Sequence, residues 1–446
     1  MPSLEEIDIH TAARYGENGY PWAEWDRLRA EAPVYWYDRP GITPFWAITG
    51  YDDIRFVAAN DALFINGGPR LRLMTTEEDR RMTAGLAQRA ADYGWDPDEP
   101  MDFIFMDRPR HTNFRSITNR RFTPRAMRDI EADLDEYAKR FTDEFVDILE
   151  RDGDADLVSD FAVKLPLATI CGLMGLPVDD WATVHKYTDI LFDTLGAQQW
   201  RLANESPAEQ RDRMSGEFRE YINALIAARR VARTDDLAAA VVHGMVDGCP
   251  LTAQQLNGYL FVLIAAGNET TRNATTRGLS ELLRNRDQLD RLLADERLVE
   301  PAVEEMLRWT SPVIQFARTA TADIELHGRL IRAGDTVGLF YPSGNRDDSV
   351  FEHPYTFDVG RQPNNHLGFG HGAHFCLGAN LARWELRAML RAVLPLLPRL
   401  ELVGEPDRLS HFHVGAVRAQ RVRLTTSVAG APGDAGHRRR QGEHAP

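Results

Sequence analysis

The stretch Phe369-Gly370-His371-Gly372-Ala373-His374-Phe375-Cys376-Leu377-Gly378 sets one cysteine in a glycine-rich loop just ahead of a helical pattern. Gly370, Gly372 and Gly378 allow a turn tight enough to aim backbone N–H groups at a sulfur, which is what a stable metal-bound thiolate needs. Residues 379–390, ANLARWELRAML, read as a helix whose positively polarised N-terminus favours the thiolate of Cys376. The other cysteines, Cys171 and Cys249, lie far away in sequence, which argues against a cysteine-rich zinc site or a disulfide framework. A single axial thiolate fits better.

Upstream, residues 259–272, YLFVLIAAGNETTR, form an apolar run that turns abruptly small and polar. On a helix Thr270 shares a face with Gly267 and Ala266, three and four residues earlier. That face lets a flat ring and a diatomic ligand approach the backbone beside a hydroxyl, with Glu269 next in sequence.

The cysteine loop resembles the haem-binding loop of the cytochrome P-450 family, matching F-G-x-G-x-H-x-C-x-G at every fixed position. Further matches follow in order from residues 106–112 through 122–124 to 390. The resemblance implies a mainly α fold with small β-sheets and haem b (iron protoporphyrin IX) as cofactor, with Cys376 as the metal ligand favouring O–O cleavage. It implies that Thr270 and Glu269 are catalytic, the threonine supporting bound oxygen and the acid relaying protons. Ala266, Gly267 and Phe369 then lie against the haem. Its propionates need cationic or hydrogen-bonding partners, for which His111 and Arg115, spaced i, i+4, and Arg318 and His374 stand at family-like positions. Glu305 and Arg308 resemble the family's E-x-x-R pair, which closes on an arginine matched by Arg361 and has a structural role. Val262, Val313, Ile314 and Phe412 are the expected substrate pocket, with residues 70–74 as a lid.

The 446 residues contain no Gly/Ser- or Pro-rich linker, so one haem domain is expected over 1–428, followed by a disordered tail at 429–446. The beginning lacks a basic and an apolar region, and no window approaches the ~20 apolar residues of a membrane span; the expectation is a cytoplasmic protein like the bacterial members. A formal charge of −15 argues against nucleic acid or an anionic membrane as partner. Against that background Arg108, Arg110, Arg115, Arg120, Arg121 and Arg125, with Arg383 and Arg387, stand out as a docking face for an acidic electron donor.

Residues 21–30 read as opening an amphipathic helix, 34–37 with 45–49 as a hairpin, 67–102 as a mobile loop, and 125–309 as predominantly helical, with breaks near 153, 177, 204–207 and 248–250. Strand patterns recur at 336–341 and 421–425. The activity implied is O2-dependent hydroxylation of a hydrophobic substrate by a monooxygenase, with electrons from ferredoxin and an NAD(P)H-driven ferredoxin reductase. A steroid or sterol side chain of cholesterol or cholestenone type leads, ahead of terpenoids and fatty acids. Glu269 and Thr270 argue against a peroxide-using haem-thiolate enzyme, and no appended signalling domain supports a non-enzymatic haem binder.

Overall fold

The computed structural model describes residues 3–191 and 200–425; the tail expected at 429–446 lies outside the described residues. Helix α1 (Trp22–Glu31) leads into the antiparallel pair β1 (Val34–Tyr37) and β2 (Phe45–Ile48), in register from Val34 opposite Ile48 to Tyr37 opposite Phe45. After β3 (Phe64–Ile65), two expectations fail. Residues 70–74 are not a lid. Ala317 N–H donates to Leu71 O at 2.7 Å, Leu73 N–H donates to Gln315 Oε1 at 3.0 Å, and Leu71, Leu73 and Met74 are buried. The stretch 67–102 is not a loop throughout, because it contains helix α2 (Thr76–Tyr93). Glu78 N–H donates to Thr75 Oγ1 at 3.2 Å while Thr75 N–H donates to Glu78 Oε2 at 2.9 Å. This reciprocal cap starts a helix that the weak apolar periodicity hides.

The helical middle comprises α3 (Arg110–Ser116), α4 (Glu131–Asp152), a short β4 (Asp154–Asp156), α5 (Lys164–Leu173), α6 (Trp181–Leu191), α7 (Pro207–Val231) and α8 (Ala253–Arg284). α4 stops at Gly153, whose φ of +84° suits glycine alone. Ser206 with Glu209, and Thr252 with Gln255, form the same reciprocal cap at the starts of α7 and α8. At 32 residues and about 1.5 Å per residue, α8 runs ~48 Å. Then come α9 (Val299–Thr310), β5 (Gln315–Ala320), β6 (Thr336–Phe340), α10 (Ala379–Val393), β7 (Leu400–Arg408) and β8 (Val417–Leu424).

One sheet has the order β1-β2-β6-β5-β3 and another β7-β8-β4. β6 is parallel to β2 and antiparallel to β5, placing Val337 beside Trp46 and opposite Arg318. The largest core joins α4, α8, α9 and α10 through Leu134, Phe145, Leu282, Met306, Leu386 and Met389, each buried side chain contributing about 1.5–3 kcal/mol of transfer free energy. Ile314 and Phe412 belong to another core, with Trp25, Phe45 and Phe340 against the first sheet. They fill the sheet's apolar face and do not line the cavity described below.

Under α9, Glu305 and Arg308 are fully buried. Arg308 Nε and Nη2 each donate to Glu305 at 2.7 Å, and Arg361 Nε donates to Glu305 Oε2 at 3.1 Å. One carboxylate faces two guanidiniums, whose remaining N–H groups reach the carbonyls of Asn345, Pro354 and Glu352. That saturation makes the buried charges tolerable.

Candidate active site

The cysteine loop is shaped by two left-handed glycines, Gly370 at φ +70° and Gly372 at φ +75°. At Gly372 a Cβ would also lie 2.1 Å from Ala58 O, so the loop is seated directly on the backbone of the helix Tyr51–Ala59. Gly378 has an ordinary φ of −84° and serves as the N-cap of α10. Cys376 N–H donates to Phe369 O at 3.0 Å, closing the loop. Cys376 is exposed to the cavity, yet the atoms crowded around its sulfur raise the thiol above the usual cysteine value, while the Gly378 N–H and the charges of Arg115 and Arg383 pull the other way.

Cys376 opens onto a cavity with about 1490 Å3 of atom-free space, its mouth included. Ala266, Gly267 and Thr270 of α8 line the same cavity, with Val262, Leu263, Val313 and Phe103. Thr270 Oγ1 donates to Ala266 O at 3.0 Å. Phe369 lies on the thiol side under the guanidinium of Arg383, 4.6 Å from its ring centroid. Of the four residues expected in the substrate pocket, Val262 and Val313 line this cavity.

Four basic side chains ring the same space: His111, Arg115, Arg318 and His374. The two imidazoles stack with centroids 4.0 Å apart. Burial, then the charge of Arg115, pushes His111 down to about 4, and burial, then His111 and Arg318, pushes His374 down to about 2. Both are therefore neutral at pH 7, so each has one N–H to donate. Arg318 is buried, donates from Nη1 to Ala317 O at 2.8 Å and contacts the Tyr341 hydroxyl. Arg115 Nη1 reaches Ala373 O at 3.4 Å. Neither arginine has a carboxylate partner in an ion pair among the described residues. A buried guanidinium in that state fits a group bearing anionic substituents at its edge. The thiol, the small-residue face of α8 and this cationic edge fit a haem.

Glu269 does not line the cavity. It lies on the other side of α8, buried, accepting from Arg272 Nη2 at 2.5 Å and from Asn273 Nδ2 at 2.7 Å. Arg272 Nη1 continues to Asp189 Oδ1 of α6 at 3.0 Å. A carboxyl that the sequence reading missed does line the cavity. Glu385 of α10 is buried, contacts the Thr169 and Thr271 hydroxyls, and is pushed by burial up to about 8. Its spacing of four residues from Leu381 and from Met389, both buried, was a signal for an inward-facing acid.

The expected basic face is mostly paired. Arg108 pairs with Asp61, Arg110 with Glu99, Arg121 with Asp235, Arg383 with Glu304 and Arg387 with Glu300. Arg120 and Arg125 are exposed and make no ion pair among the described residues.

A family model described as Cytochrome P450 matches residues 83–397. The methyl-branched lipid omega-hydroxylase of Mycobacterium tuberculosis is 39% identical over 390 residues, covering 86% of each chain. The steroid C26-monooxygenase of Mycolicibacterium smegmatis is 33% identical over 424 residues, 93% of each. Among solved structures, a Mycobacterium marinum cytochrome P450 in complex with pseudoionone superposes with a TM-score of 0.82 at 33% identity, covering 95% of this chain and 100% of that one.

Proposed function

Because the chain belongs to the cytochrome P450 family, we propose that the Cys376 thiolate would hold its haem b and that the enzyme hydroxylates the terminal part of an apolar lipid or steroid chain. The chain is a monooxygenase acting on a hydrophobic substrate with O2, and among the described residues no helix is long and apolar enough to cross a membrane. When bound, the haem supplies oxygen activation that amino-acid side chains cannot perform. The observation that carries the site assignment is that the Cys376 thiol, the small face Ala266, Gly267 and Thr270, and the buried Arg318 line one cavity.

Arg115 and Arg318 supply the charge for the two propionates, and the neutral imidazoles His111 and His374 each add one N–H. Val262, Leu263, Val313 and Phe103 bind the substrate by apolar contact and exclude water. Thr270 holds its hydroxyl at the cavity and is the catalytic residue for proton handling. Glu269, tied to Arg272 and Asn273, is a positioning residue that fixes this segment of α8. A ferredoxin, reduced by a ferredoxin reductase, delivers electrons to the cysteine-loop side. The omega-hydroxylase and the steroid monooxygenase among the relatives support a chain terminus as the target, in a methyl-branched lipid or a steroid side chain.

The test is the reduced, carbon monoxide-bound spectrum, followed by optical titration and product analysis with a methyl-branched fatty acid and with cholest-4-en-3-one. The native protein is expected to show the thiolate-type band and Cys376→Ser to lose it. A saturable spin-state change with terminal hydroxylation of either compound supports the substrate reading; hydroxylation only at mid-chain or ring carbons overturns it.

A further inference from the structure

A second cavity, with about 1380 Å3 of atom-free space counted with its mouth, lies between α2, the segment 95–105, α7 and the start of α8. Met82, Leu86, Ala90, Ile222 and Phe261 make part of its wall apolar, and Arg89 of α2 and Arg219 of α7 put two guanidiniums on the same wall. Arg89 donates from Nε to Gly85 O at 3.1 Å, and Arg219 stacks over Tyr93 and Trp95 at 4.5 and 5.4 Å. Neither makes an ion pair with a carboxylate among the described residues. Burial, then the like charge of Arg219, lowers Arg89 from the ordinary arginine value, and Asp212 opposes this.

The acids on the same cavity do not neutralise them. Glu99 is engaged by Arg110 and Gln255. Asp102 is buried, accepts from Ile104 N–H at 2.7 Å and is pushed by burial up to about 7. Asp96 and Asp98 are exposed at the rim. A half-buried pair of like charges against an apolar wall is the complement of an amphiphile with an anionic head.

This cavity and the thiol cavity share their partition. Asp102 and Phe105 face the second and Phe103 and Ile104 the first; on α8, Gly258 and Phe261 face the second and Val262 and Leu263 the first. Neighbours in sequence thus border different cavities on both segments.

We propose that Arg89 and Arg219 bind the carboxylate of a long-chain acid substrate, so that its apolar tail is directed across this partition toward the thiol cavity and its far end is the part oxidised. The proposal rests on the terminal-hydroxylase reading above and narrows it to substrates with a free carboxylate.

The experiment uses the haem-loaded full chain, titrated with hexadecanoic acid and with hexadecan-1-ol by calorimetry and by the optical spin-state change. The native protein, Arg89→Gln, Arg219→Gln and the double variant are compared. Loss of a charge-assisted contact predicts a roughly 10- to 100-fold weaker affinity for the acid in the double variant, with the affinity for the alcohol unchanged; the alcohol thus reports that the fold is intact. Equal affinity for the acid in native and double-variant proteins overturns the proposal. Arginine-dependent calorimetric binding of the acid without any optical change overturns the proposal, because the tail then does not reach the thiol cavity, and leaves the terminal-hydroxylase reading to its own product test. An optical response to both ligands that ignores the arginines overturns the proposal while leaving the terminal-hydroxylase reading standing.

Discussion

At the scale of single residues, Glu385 carries a pH dependence with a definite sign. Its folded pKa, about 8, lies above its ordinary value of 4.5. The folded state therefore binds more protons between those values. Its contribution to stability is full below the ordinary value and is lost as pH rises through the folded one. Thermal unfolding of Glu385→Gln should accordingly lose part of the decline between pH 5 and 8, with a midpoint at pH 8 a few degrees above that of the native protein. Asp102, pushed up to about 7, should leave a residual slope of the same sign. Thr270→Ala removes the hydroxyl at the small face of α8, and product per NAD(P)H consumed should fall several-fold while hydrogen peroxide rises; unchanged coupling would remove its proton-handling role. Legibility differs between these residues for a physical reason. Cys376 and its glycines announce themselves because the chemistry needs them within ten residues. Glu385 does not, because its inward orientation depends on which face of α10 meets α8. Ile314 and Phe412 look like pocket residues in sequence, since a core position and a cavity wall both call for the same apolar side chains.

At the scale of elements, the buried line Glu269–Arg272–Asp189 fastens α6 to the middle of α8. Replacing Arg272 by Met removes the guanidinium that joins the buried carboxylates of Glu269 and Asp189, at a cost of about 3–5 kcal/mol. Urea unfolding should register that loss, and hydrogen exchange should place the earliest opening in α6. A small effect would mean that the carboxylates are hydrated or protonated in the native protein. The helices with strong caps and long periodic runs, α7 and α8, were legible because propensity and tertiary burial agree in them. α2 was not: its buried-face pattern is weak, and only the Thr75 and Glu78 cap marks its start. The segment 70–74 misled in the opposite sense, because its anchoring bonds come from Gln315 and Ala317, more than 240 residues away in sequence.

At the scale of the whole molecule, the proposed ferredoxin, an acidic donor, would meet a chain of net charge −15 through a local exception to that chain's own field. Arg120 and Arg125 are the exposed, unpaired members of the basic cluster among the described residues. Reversing both to Glu should slow reduction by ferredoxin about tenfold at low salt, with the native and variant rates converging as ionic strength rises. Equal rates at low salt would move the docking site elsewhere. The ring of Arg115, Arg318, His111 and His374 has a further consequence, for assembly. A fold that gathers two unneutralised guanidiniums around an internal hollow opposes its own closure, and under the proposed assignment the dianionic edge of a porphyrin would relieve that opposition. Folding and cofactor loading would then be one equilibrium, in which every increment of binding free energy is also stability. Extraction of the haem should lower the unfolding midpoint well beyond what lost apolar contact explains, and a porphyrin with esterified propionates should restore only part of it.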